Sequence, residues 1–165
     1  NLELENSELI EEFSINLDLT KKQILRKQVL QLLYLLDINK GIVEIQKKSF
    51  LNIFESNGLS DEEEKEAENL SIEIFSHKLE LDEMIQSFAE EYPVNQLSIV
   101  DKSLLRLAFW EVKKLRKSDN FPKLVEDFEN LGYLFGSDNS NKFIKGVLKS
   151  LIKNLDKIYY KTKWK

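Results

Sequence analysis

The chain has 165 residues, no cysteine and a formal net charge of −5. This length suits one domain or two small bundles sharing a core, and the lack of cysteine excludes disulfides, thiolate metal sites and thiol nucleophiles. Five glycines and two prolines are few for this length, which favours helices over turn-rich β-structure. No apolar run approaches a membrane span and no segment has a signal-peptide layout, so a soluble cytoplasmic protein is expected.

Charge is divided unevenly along the chain. Residues 1–97 hold 9 Lys/Arg against 21 Asp/Glu, whereas residues 98–165 hold 15 against 8. A basic half leaves room for a polyanionic partner despite the net acidity. Residues 1–18 contain six acids and no base, and we interpret them as an acidic extension before a single domain over residues 19–165.

The segment from Thr20 to Leu36 predicts the first helix. Five apolar residues recur at helical spacing and form one face: Leu25, Val29, Leu32, Leu33 and Leu36. Lys27, Gln31 and Tyr34 fall together on the opposite side, and the segment has four bases and no acid. Two interpretations fit equally well, an ordinary helix with a solvated basic face and a helix that presents charge to phosphates.

Three further helices are predicted before residue 93. They cover Ile42 to Ser56, a stretch opened by the capping box Ser60-Asp61-Glu62-Glu63, and Leu81 to Tyr92. The acids between Asp61 and Glu68 lack the glycine turn and alternating ligands of a calcium loop, so they indicate a solvated face and no metal site. His77 is the single histidine, which excludes a histidine-rich metal site and a histidine-based triad.

The stretch from Ser98 to Leu115 predicts a central helix buried on most sides. Ser98 can cap it, with Asp101 three residues further on as a variant of the capping box. Arg106 and Glu111 lie inside the apolar run, where a charge is costly unless it is paired. They are either exposed charges or polar contacts that fix neighbouring helices.

Two helices complete the predicted chain. One begins near Pro122 and ends at Phe135-Gly136, and the other runs from Asn141 to about Tyr160. The last helix carries a lysine stripe, which serves either solubility or a polyanion: Lys142, Lys145, Lys149, Lys153 and Lys157. Gly146 inside this helix costs about 1 kcal/mol relative to Ala, and we expect close approach of another helix as the reason. No phosphate loop, HExxH or serine elbow occurs, so no enzyme and no cofactor are predicted.

Three blocks of the sequence, taken in chain order, carry a family pattern. The first runs from Arg26 through the Gln-x-Leu-Tyr stretch at Gln31 to Asp37. The second, Asp101 to Glu111, has the pattern acid-Lys/Arg-x-x-Leu-Arg-x-Ala-x-aromatic-Glu, and the third joins Phe135-Gly136 through a short polar loop to Ser140–Leu148. Together the three blocks resemble the NusB family of transcription antitermination factors. The resemblance implies an all-α, NusB-like bundle of about seven helices, arranged as two small sub-bundles sharing a core, without enzymatic activity.

The resemblance also implies partners and contact residues. Members of the family bind the single-stranded boxA element of ribosomal RNA leaders together with the ribosomal protein NusE, and the complex helps RNA polymerase read through terminators. Carried over by position, the RNA-facing residues are Lys21, Lys22, Arg26, Lys27, Gln31, Phe135, Asn139, Ser140, Lys142 and Phe143. Tyr34 and Asp101 are carried over to the NusE side. Burial in the core explains Phe135 and Phe143 as well as stacking on bases does.

This chain departs from the family pattern at several positions. Its opening helix is mostly Lys where the family is Arg-dense, which loses bidentate phosphate contacts. Lys145 replaces the usual Asn before the helix glycine, and Asn139 replaces an acid of the loop. Two alternatives therefore stay open: a NusB-fold protein-interaction module with weak or no RNA binding, and an accessory domain in ribosomal RNA processing. A monomer and a homodimer fit equally well.

Overall fold

Six α-helices account for most of the residues that the computed structural model describes, which are 19–39, 57–115 and 120–155. They are α1 (Lys21–Ile38), α2 (Asp61–Ser76), α3 (Lys78–Phe88), α4 (Ile99–Leu115), α5 (Phe121–Phe135) and α6 (Ser140–Lys153), with a 3-10 turn at Val94–Gln96. No strand occurs within these ranges, so the all-α prediction is confirmed. The acidic extension and the helix predicted at Ile42 to Ser56 lie outside the described residues. None of the described helices is long and apolar enough to cross a membrane.

Side-chain caps begin three of the helices, and two of these caps, at Ser60 and Ser98, are the ones that the sequence predicts. Ser60 Oγ accepts from the Glu63 amide and Glu63 Oε1 accepts from the Ser60 amide, both at 3.2 Å, which completes the predicted capping box. Ser98 Oγ accepts from the Asp101 amide at 3.1 Å, and Thr20 caps α1 in the same way. These caps satisfy amides that the first helical turn leaves without a partner, so the chain fixes these helix starts locally.

The central helix α4 packs against all five other described helices. Every residue from Ser103 to Trp110 is buried, as expected for a helix that is apolar over most of its circumference. Side chains from all six helices form one contiguous hydrophobic core, which includes Leu104 and Phe109 of α4 and Ile144 of α6. The predicted shared core is therefore present.

Gly132 allows α5 and α6 to pack closely as antiparallel neighbours. A Cβ atom there would lie 3.0 Å from Ile144 Cδ1 and 3.1 Å from the Asn141 Cα. By contrast, a Cβ atom on Gly146 would have nothing within 4 Å. The prediction that another helix approaches Gly146 is therefore wrong, because the close contact between these helices is made at Gly132.

Two helix lengths differ from the sequence prediction. The helix predicted from Leu81 to Tyr92 is α3, which begins three residues earlier and ends at Phe88. The last helix ends at Lys153, where Asn154 donates a side-chain hydrogen bond to the Ser150 carbonyl at 2.8 Å. Lys157 and the predicted end at Tyr160 lie outside the described residues.

Candidate nucleic-acid interface

Arg26 lies in the interior, although the family pattern assigned it to RNA. Its guanidinium is 4% exposed and forms a bidentate pair with Glu111, from Nε to Oε2 at 2.8 Å and from Nη2 to Oε1 at 2.7 Å. Nη1 donates to Asp127 Oδ2 at 2.9 Å and to Gln23 Oε1 at 2.8 Å. The prediction that Arg26 contacts RNA is corrected here, because its N–H groups are buried against carboxylates and join α1 to α4 and α5.

Burial and ion pairing act in opposite directions on Arg26. Desolvation is the largest single influence and lowers its pKa, but the hydrogen bonds and charges of Glu111 and Asp127 together raise the pKa above its ordinary value. The guanidinium carbon also lies 4.8 Å from the centroid of the Phe128 ring. Arg26 is therefore a charged structural residue at physiological pH.

Arg106 forms a second buried ion-pair cluster. Its Nε and Nη2 donate to the two carboxylate oxygens of Asp82, each at 2.7 Å, and its Nη1 donates to Asp37 Oδ2 at 2.8 Å. Lys102 Nζ lies 3.7 Å from the same Asp37 oxygen. Arg106 and Glu111 thus make polar contacts that fix neighbouring helices, which decides between the two interpretations of the sequence.

A compact turn connects α5 to α6, and its polar residues differ in their exposure to solvent. Ser140 is 3% exposed, and its Oγ accepts from the Ser137 amide at 2.9 Å. The prediction that Ser140 contacts RNA is corrected, because its hydroxyl is buried and orders the turn. Asn139 is exposed and adopts a left-handed conformation with φ of 70°, which Asn tolerates better than most residues. Asp138 is also exposed.

Gly136→Ala is expected to destabilise the protein by about 1–3 kcal/mol, because the new Cβ would overlap its neighbours. That atom would lie 2.6 Å from the Gly132 carbonyl oxygen and would collide with the Ser140 side chain. Gly146→Ala is the matched control, since its Cβ would enter open space. It is expected to stabilise the protein by about 1 kcal/mol through helix propensity. Urea denaturation of both variants tests the contrast, and equal effects would contradict it.

The outer face of α1 meets the end of α5. Lys27 Nζ lies 5.8 Å from the centroid of the Phe135 ring, so the first and third sequence blocks lie side by side. Lys22 is exposed, whereas Lys21 Nζ pairs with Glu63 Oε2 at 2.9 Å on the surface. Phe135 is half-buried: it packs against the core while part of the ring stays accessible, and stacking of that part on bases stays a prediction.

The start of α6 presents a cation and an aromatic pair. Lys142 is exposed, and the half-buried Phe143 ring packs edge-on against Tyr92, with 5.2 Å between their centroids. Tyr92 is 53% exposed and was not among the predicted site residues. Its position just before Pro93 marked a helix end in the sequence, and only the fold brings it to Phe143.

Three other predicted contact residues are less accessible. Gln31 Oε1 accepts from Asn57 Nδ2 at 3.0 Å, and Tyr34 is half-buried on the same helix. Asp101 is 9% exposed, and its Oδ1 is buried without a hydrogen-bond partner among the described residues. The prediction that Asp101 faces a partner is corrected, because the residue is buried at the start of α4. Within the described ranges, no three acidic or histidine side chains group closely enough to hold a metal ion.

Two solved structures share this arrangement of helices. T. maritima NusB matches with a TM-score of 0.65 and 22% identity, covering 81% of this chain and 92% of that one. A chain in the crystal structure of a plectonemic RNA supercoil matches with a TM-score of 0.67 and 21% identity, covering 84% and 98%. The protein is therefore an all-helical bundle with the NusB fold.

Sequence comparison assigns the chain to a family as well as to a fold. The transcription antitermination protein NusB of Dehalococcoides mccartyi is 34% identical over 137 residues, which are 82% of this chain and 92% of that protein. The protein of the same name from Listeria monocytogenes is 30% identical over 131 residues, 79% and 95% of the two chains. The pattern of the NusB family matches residues 23–153. The chain belongs to the NusB family.

Proposed function

We propose that this protein is an RNA-binding transcription antitermination factor that takes up a boxA-like single strand of ribosomal leader RNA together with NusE. The role requires binding and no catalysis, and contact with the RNA polymerase antitermination complex would be indirect. Its RNA surface consists of the outer face of α1, the turn between α5 and α6, and the start of α6. The observation that carries the proposal is the approach of Lys27 to Phe135, 5.8 Å from the ring centroid.

Two kinds of side chain on this surface suit an unpaired strand. Lys22, Lys27 and Lys142 supply positive charge for phosphates, and the exposed Lys21 can exchange its carboxylate partner Glu63 for a phosphate. Phe135 and the pair of Phe143 with Tyr92 supply aromatic surface on which splayed bases stack. Asn139 and Gln31 add amide groups that can hydrogen-bond base edges.

In this proposal, two residues of the family pattern do not contact RNA but hold other residues of the RNA surface in position. Arg26 holds α1 against Glu111 and Asp127, which sets where Lys22 and Lys27 stand. Ser140 orders the turn that presents Asn139. Tyr34 remains our candidate on the NusE side, since Asp101 is buried.

Replacing Lys27 and Lys142 together with Ala is expected to weaken binding to a labelled boxA-like strand and to flatten its salt dependence. Each phosphate contact on a single strand contributes about 0.7 to the slope of log affinity against log salt, so the slope should fall by about 1.4. Fluorescence anisotropy at several salt concentrations, with and without NusE, measures both quantities. Lys65→Ala is the control, because Lys65 is an exposed lysine of α2, a helix that contributes no residue to the proposed RNA surface.

A protein-interaction role is the second candidate, and one observation favours it. The first turn of α2 consists of four acids, of which Asp61 and Glu62 are exposed. An acidic face of this kind repels RNA and suits a basic protein partner. NusE binding that persists while the wild-type chain shows no salt-sensitive RNA binding would favour this role and overturn the RNA proposal.

A further inference from the structure

Gly146 is an exposed glycine in the interior of α6 with no packing reason for its presence. A Cβ at this position would meet nothing within 4 Å, and the residue lies six positions into a helix that continues to Lys153. Glycine is disfavoured relative to alanine inside a helix because it loses more conformational freedom on folding. A bare stretch of helix backbone at the surface also allows a ligand to approach closely.

The bare backbone lies within a ridge of lysines. Lys142, Lys145, Lys149, Lys153 and Gly146 fall within a sector of about 100° when successive residues are placed 100° apart. No acid occurs in α6, and Lys142, Lys149 and Lys153 are exposed, while Lys145 Nζ lies 3.4 Å from Glu129 Oε2. The ridge is about 16 Å long at 1.5 Å per residue.

We propose that a single-stranded RNA continues from Lys142 and Phe143 along this ridge, with phosphates at Lys149 and Lys153. The sugar–phosphate backbone passes closest to the helix at Gly146. This inference rests on the proposed RNA-binding function and extends its footprint along the whole of α6. A groove of about 450 Å³ beside Gly146, which Tyr92 and Phe143 also line, receives the bases.

The acids on both sides of the lysine ridge favour a narrow polyanion as its ligand over a broad acidic protein surface. Glu90 and Glu91 line the groove on one side of the ridge, and Glu126 and Glu129 line the groove on the other. An acidic protein surface broad enough to cover both grooves would meet these like charges. A single strand that follows the lysines stays between them, and it is continuous with the cation and aromatic pair at the start of α6.

The test compares a core boxA-like strand with strands lengthened stepwise at either end. For the wild-type protein, lengthening at one end is expected to raise affinity and to steepen the salt slope by about 1.4, the value for two added phosphate contacts. The double variant Lys149→Ala, Lys153→Ala should lose this gain while it binds the core strand as the wild type does. Lys65→Ala should leave both affinities unchanged.

Gly146 provides a second, independent measurement. Gly146→Ala is expected to raise Tm by about 3 °C through helix propensity, and to reduce the affinity gained from lengthening the strand. Gly146→Gln places a larger side chain on the ridge and should reduce that gain further. An unchanged gain in both variants would overturn the close approach at Gly146.

The outcomes separate this inference from the function on which it rests. If the wild-type protein binds the core strand but lengthening adds no affinity, the path along α6 is overturned and the proposed function stands. The same holds if the gain survives in the double lysine variant. If the wild-type protein binds neither strand, with or without NusE, the proposed function and the inference are both overturned.

Discussion

Arg26→Ala is expected to lower the free energy of unfolding by about 3–5 kcal/mol, the usual cost of removing one partner from a buried ion pair. The loss leaves Glu111 and Asp127 facing each other without their shared cation, and their side chains are 19% and 11% exposed. Water therefore replaces the guanidinium poorly, and Glu111 keeps most of its desolvation cost. Asp127 is compensated only in part, by the exposed Lys123, whose Nζ lies 3.1 Å from its Oδ1. Urea denaturation at neutral pH, followed by circular dichroism, measures the change.

Two controls separate the effect of breaking the ion pair from the effect of losing any basic residue on α1. Lys22→Ala removes an exposed cation from the same helix and should change stability by about 0.5 kcal/mol or less. Replacing Arg26, Glu111 and Asp127 together by Met, Leu and Leu should cost far less than Arg26→Ala alone, because no buried charge is left unpaired and Lys123, which loses Asp127, stays in water. A loss for Arg26→Ala no larger than that for Lys22→Ala would contradict the assignment.

RNA binding by the same variant tests the corrected role of Arg26. If Arg26 contacts no phosphate, the folded fraction of Arg26→Ala should keep the wild-type salt slope. If Arg26 reached RNA directly, the slope should fall by about 0.7. Anisotropy measurements in conditions where the variant remains folded distinguish the two results independently of its stability.

Features set by neighbouring residues could be predicted from the sequence. The capping box at Ser60 and Glu63 lies within four residues, and the apolar circumference of α4 is visible in its helical spacing. These features depend on local geometry, so a single sequence suffices for them. The resemblance to the NusB family also assigned Lys27 and Phe135 to one set of RNA-facing residues, and the structure brings these two side chains together.

Features set by packing between distant helices could not be predicted in this way. Arg26 is one of four bases on α1, and its burial depends on Glu111, 85 positions later in the chain. Gly132 and Gly146 are both helix glycines, and only the placement of α5 against α6 shows which one is in close contact. Sequence spacing fixes the face of a helix on which a residue lies, but not the partner that covers that face.

Arg106→Ala is expected to be about as destabilising as Arg26→Ala, by about 3–5 kcal/mol, and its partners should contribute unequally. Asp82 receives two hydrogen bonds of 2.7 Å and Asp37 receives one of 2.8 Å, so the pair with Asp82 should dominate. Lys102 also lies 3.7 Å from Asp37 and can compensate part of the lost charge there.

Double-mutant cycles measure this inequality. The coupling energy of Arg106 with Asp82 should be near the upper end of the range for residues in one network, about 2–3 kcal/mol, and the coupling with Asp37 should be about 1 kcal/mol. Lys102→Ala should increase the coupling between Arg106 and Asp37, because it removes the compensating cation. Equal couplings for the two carboxylates would show that Arg106 holds α1 and α3 to the central helix with the same strength, contrary to the bidentate geometry at Asp82.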